Sequence, residues 1–108
     1  MSYSSSQKKL ASRLIRIGKK RGESRKEILS ALATAIVEAN LSNPSGGDGT
    51  SAGWRQEIDT YGSVKNRTNI KKSANRYYDE TSSVGNNGKG MSIGSLSQAV
   101  QRSAYPDR

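Results

Sequence analysis

The chain has 108 residues, 31% of them hydrophobic, with one Trp, five Tyr and no Phe, which predicts one small domain burying only about 65% of the surface its unfolded chain exposes. Eighteen Lys and Arg against nine Asp and Glu give a net charge of +9, suited to anionic polymers: nucleic acid, an anionic membrane or the bacterial wall. With neither Cys nor His present, disulfides, thiolate nucleophiles, Ser-His and Cys-His hydrolases and His-ligated zinc enzymes are excluded, leaving carboxylate, Lys or Tyr for acid–base chemistry.

The N-terminal stretch is basic but lacks the apolar run of about 7–15 residues that marks a secretory signal. No segment approaches the ~20 apolar residues of a membrane span. Residues 7–20 place Leu10, Leu14 and Ile17 at helical spacing, with Lys8, Lys9, Arg13, Arg16, Lys19 and Lys20 on the other face, predicting an amphipathic basic helix over segment 1–23. That face is either a solvated surface or an attachment site for a polyanion.

Gly22 is a helix stop, and Ser24-Arg25-Lys26-Glu27 fits the capping box, so a second helix begins at 24–25. Its interior, Ile28 to Val37, is apolar almost all round, the pattern of a central helix packed on several sides. It must end by Asn43, because Pro44 disfavours helical geometry before it. A Gly-rich loop over 45–53 follows, and apolar and amide groups resume at Trp54, Gln56, Ile58 and Tyr61. A third helix is expected from Thr68-Asn69-Ile70 to about Glu80, a second glycine-rich loop over 85–94, and a last helix from Ser95 to Tyr105-Pro106. The fold class is thus all-α, around one central apolar helix, as one globular unit in which 24–108 forms the main part.

Glu38 stands at the end of the most apolar helix. Apolar neighbours and the negative end of the helix dipole both favour its neutral acid form, the form a general acid needs to protonate a leaving oxygen. Against this, at about 100° per residue Glu38 falls about 120° from the centre of the apolar stripe, an edge position that suits solvent as well as a cleft wall.

Three segments taken in order carry a resemblance: Ile36 to Asn43, Gly47 to Glu57, and Ala99 to Pro106. Together, within residues 24–106, they resemble the lysozyme-like domains of actinobacterial phage tail tape measure proteins and tail lysins, and more distantly soluble lytic transglycosylases and goose-type lysozymes. The resemblance implies a small lysozyme-like domain in which Glu38 is the catalytic acid and Gly53-Trp54-Arg55-Gln56 lines a glycan cleft. Two departures stand out: Trp54 and Arg55 occupy positions that are usually apolar, and Ala99-Val100-Gln101-Arg102 replaces an Ala-Tyr-Asn-x-Gly pattern, with Gln101 substituting for the Asn.

The function so implied is cleavage of the β-1,4 link between N-acetylmuramic acid and N-acetylglucosamine of peptidoglycan, by a muramidase or lytic transglycosylase needing no metal or cofactor. Its setting is a phage tail virion acting at the bacterial cell wall, with peptidoglycan strands and tail proteins as partners. Expected substrate contacts are Ser51, Gly53, Trp54, Gln56, Gln101 and one of Tyr77 and Tyr78, since adjacent helix positions point about 100° apart and cannot both be equally buried; Tyr61 is a further stacking candidate. Asp48, Glu57 and Asp59 are candidates for a second carboxylate, on which hydrolysis rather than transglycosylation depends. The alternative is a non-catalytic glycan-binding or tail-structural module of the same fold. A nucleic-acid binder ranks below both, because the basic helix has no aromatic platform or DNA-reading motif.

Overall fold

A computed structural model describes residues 2–47, 49–84 and 86–104. Five α-helices account for most of them: α1 (Ser5–Arg21), α2 (Arg25–Ala39), α3 (Val64–Arg67), α4 (Ile70–Ser83) and α5 (Ile93–Ala104), with short 3-10 turns at Asp59–Tyr61 and Asn86–Gly88. Among the described residues the only β-type pairing is an isolated antiparallel bridge between Ala52 and Glu57. The expected end of the last helix at Tyr105-Pro106 lies outside the described residues.

Local signals set the helix boundaries. Ser4 with Gln7 and Ser24 with Glu27 form reciprocal capping boxes at the starts of α1 and α2, each satisfying backbone donors that a helix N-terminus leaves open. Gly22 stops α1 in the left-handed conformation at φ 77°. α2 ends earlier than Pro44 requires, because Asn40 and Leu41 both turn left-handed (φ 51° and 57°), and the Leu41 N–H closes back onto the Ala35 carbonyl at 2.8 Å. Asn69 caps α4 through its side chain.

α2 packs against α1, α4 and α5, so it is the central helix. Leu10 and Leu14 of α1 join Ile28, Ala31, Ala35, Trp54, Ala74, Tyr77, Tyr78, Leu96 and Val100 in one core, so segment 1–23 shares its core with the rest of the chain. α1 approaches closely at Gly18, where a Cβ would stand 2.6 Å from Ile28 Cγ1 and 2.9 Å from the Tyr78 hydroxyl oxygen.

The face that α2 buries is a correction to its sequence pattern. Its buried residues are Glu27, Ile28, Ser30, Ala31, Thr34 and Ala35, whereas Leu29, Leu32 and Ala33 are half-buried and Ile36 and Val37 are exposed, Val37 at 79%. A helix apolar all round does not declare which side faces in, and here polar pairing decides it. Thr34 Oγ1 lies 2.6 Å from Ser97 Oγ and 3.2 Å from the Tyr77 hydroxyl oxygen, and donates to the Ser30 carbonyl. Tyr77 also donates to Ser30 Oγ, and Thr81 donates to the Glu27 carboxylate at 2.8 Å. Buried polar groups are tolerated only when so paired, and no buried side-chain polar atom among the described residues lacks a partner.

Candidate functional site

The inward stripe of α2 runs Glu27, Ser30, Ala31, Thr34, Ala35, and at about 100° per residue the next position on its centre line is Glu38. Glu38 lies about 120° from the centre of the apolar residues at 100° per residue, but the helix buries its polar stripe instead, which brings Glu38 into line with the buried side. Glu38 is half-buried at the C-terminal end of that stripe. The apolar neighbours expected to desolvate it, Ile36 and Val37, are exposed.

The chain leaving α2 is anchored around Asn43. Its side-chain oxygen accepts from the Trp54 N–H at 3.0 Å, and its amide donates to the Thr68 carbonyl at 2.7 Å. The Gly53 N–H donates to the Pro44 carbonyl at 2.7 Å. Gly53 itself is obligatory, since at φ 87° a Cβ would stand 2.4 Å from the Arg67 carbonyl oxygen. From α1, the Gln7 side chain donates to the Asn40 carbonyl at 2.8 Å, which fixes the start of the basic helix beside the end of α2.

Most residues expected to contact glycan are internal. Trp54 is fully buried and donates its indole N–H to Ser73 Oγ at 2.7 Å. Tyr77 and Tyr78 are both fully buried, contrary to the expectation that only one would be: Tyr78 donates to the Leu14 carbonyl at 2.8 Å, so α1 covers one ring while α2 and α5 cover the other. Burial pushes both phenols above their ordinary range, which leaves neither as a base. Gln56 is buried and donates to the Gly46 and Gly53 carbonyls, pinning its own loop. Ser51 is buried too.

Gln101 and Glu57 belong to a charged cluster that sequence reasoning missed. Arg55, fully buried, donates to Gln101 Oε1 at 3.0 Å and to Glu80 Oε1 at 2.7 Å, and Gln101 Nε2 returns a bond to the Arg55 carbonyl. Its guanidinium lies 5.0 Å from the centre of the Tyr77 ring and 5.7 Å from that of Tyr61, a cation–π arrangement. Glu57, also fully buried, is held by Arg76 and, at 3.5 Å, by Arg55. Arg67 donates to the Thr50, Glu57 and Gly62 carbonyls, lacing segment 50–67 together. Glu57 is thus a structural counter-ion, a correction to its candidacy as a second carboxylate. Asp59 is exposed in the 3-10 turn, and Asp48 lies outside the described residues.

Along α1 and the start of α4 runs a basic groove. A cleft of about 690 Å³ is lined by Lys8, Lys9, Arg13, Arg16, Asn43 and Ile70 among others, and Arg13 and Arg16 also line a second of about 430 Å³ with Lys20, Lys71 and Asn75. Among the described residues no three carboxylates gather as a metal site would require, and no helix is long and apolar enough to cross a membrane.

Compared with known proteins, the chain matches no family model and no curated protein.

Proposed function

We propose that the chain cleaves peptidoglycan glycan strands, with Glu38 protonating the glycosidic oxygen between N-acetylmuramic acid and N-acetylglucosamine. The observation that carries this is the position of Glu38: a half-buried carboxylate at the C-terminal end of the inward stripe of the central helix. A general acid needs that combination of partial shelter and access. With Glu57 held by two arginines, the chemistry is best served by one acid: after Glu38 has protonated the leaving oxygen, its carboxylate takes the proton of the muramoyl 6-hydroxyl as that oxygen bonds to the anomeric carbon and closes an anhydro ring; Asp59 or Asp48 would be needed for the hydrolytic course. The phage tail setting and tail-protein partners belong to the same proposal and rest on the sequence resemblance.

A second reading, a non-catalytic wall-binding or tail-structural module that acts through its basic surface, is favoured by one observation: Trp54, Tyr77 and Tyr78 are all buried, so these rings are not available to stack on sugars in a catalytic cleft. Digestion of purified sacculi followed by mass spectrometry of the released fragments separates the alternatives. Anhydromuramyl ends support the single-acid course, reducing ends support hydrolysis, and no release from sacculi supports the binding module and overturns the enzyme.

A further inference from the structure

We propose that the groove between α1 and α4 binds a single extended strand of a phosphodiester polymer lacking bases, of the poly(alditol phosphate) kind that decorates bacterial walls. Lys9, Arg13, Arg16 and Lys20 recur at i, i+4, i+7 and i+11, one stripe about 16 Å long at 1.5 Å rise per residue. Lys71 faces them from α4 across the second cleft. None of these five makes an ion pair with a described carboxylate; the neighbouring Arg21, by contrast, is already engaged by Glu23 and Asp79. Five such cations lining two clefts that share Arg13 and Arg16 are complementary to a linear polyanion, whose bound counterions they would displace.

The lining chooses among polyanions. It contains Ser, Asn, Leu and Ile beside the cations but no aromatic ring, so the stacking platform on which single-stranded nucleic acid is held is missing. Helices in contact lie about 8–10 Å apart, too close to admit a duplex between their flanking side chains. At its other end the groove reaches Ser42 and Asn43, a few residues past Glu38, so a bound wall polymer would keep that carboxylate beside the wall. The choice of a wall polymer rests on the glycan-cleavage proposal above, whereas the groove's charge does not.

The test measures binding of purified poly(glycerol phosphate) over a range of salt concentrations by the full chain, by the triple variant Arg13→Gln, Arg16→Gln, Lys71→Gln, and by a charge-matched control, Lys65→Gln, Lys89→Gln, Arg102→Gln. All six positions in the two variants are surface residues, and circular dichroism checks that both fold. The groove variant is expected to lose at least about tenfold in affinity and about 2 in the slope of log K against log salt, as three lost single-strand phosphate contacts require; the control should change far less. Equal losses in both variants would reduce the groove to bulk charge and overturn the proposal. Tighter binding of polyuridylate than of poly(glycerol phosphate) would overturn the polymer class. Glu38→Gln should bind the polymer like wild type, so failure of catalysis and failure of the groove are read separately.

Discussion

Arg76 grips the Glu57 carboxylate at two points, Nη2 to Oε1 at 2.7 Å and Nε to Oε2 at 2.9 Å, with Glu57 fully buried and Arg76 a quarter exposed. Removing the buried carboxylate takes the counter-charge from Arg76 and leaves Arg55, itself without solvent, relying on Glu80. Glu57→Gln is therefore expected to destabilise by about 3 kcal/mol or more, read by urea unfolding. Neutral or raised stability together with loss of glycan release would instead make Glu57 a working carboxylate.

The inverted face of α2 makes a paired prediction. Thr34→Val keeps the shape but leaves the Tyr77 and Ser97 hydroxyls short of a partner, at a cost of about 1–3 kcal/mol. Val37→Thr, on the exposed side, should stay within about 0.5 kcal/mol of wild type. Denaturant midpoints with unchanged slopes measure both, and the reverse order would mean that α2 buries its other face.

Much of this architecture was legible in the sequence and some was not, for physical reasons. Ser24, Glu27 and Gly22 announced the α1–α2 junction because capping is local chemistry. The inward side of α2 was hidden because Leu29, Leu32, Ile36 and Val37 outweigh Ser30 and Thr34 in any hydrophobic count, although Glu27, Ser30, Thr34 and Glu38 at i, i+3, i+7 and i+11 do form one stripe. The burial of Arg55, Glu57 and Arg67 was hidden because charge usually means surface, and for the first two it depends on partners as distant as Arg76, Glu80 and Gln101. The single turn of α3 is too short to leave a periodic signal. Glu38 was found from the order of its neighbours, and only the structure put it in line with the buried stripe.

Acid should act on Glu27. Burial alone would raise its carboxyl, but hydrogen bonds from the Ser24 N–H, the Thr81 hydroxyl and Ser24 Oγ together outweigh that and hold it below the ordinary carboxylate value of 4.5. A lowered folded value means stability fully present above the unfolded value and lost as pH falls through the folded one. Stability should therefore decline on acidification below about pH 4.5, the unfolded carboxylate range. Glu27→Gln keeps the capping box but removes the titrating group, and should flatten that decline in melts taken between neutral and acid pH. An unchanged slope would assign the acid sensitivity to other carboxylates.

Glycan release by Glu38→Gln, measured beside its thermal melt, tests the proposed chemistry most directly. Gln matches Glu in size and hydrogen-bonding reach but cannot deliver a proton to the leaving oxygen. Fragment release from sacculi should fall by on the order of 10²–10⁴ while the melting transition is kept. Release at the wild-type rate from a folded Glu38→Gln protein would remove Glu38 from the chemistry and contradict the proposed function.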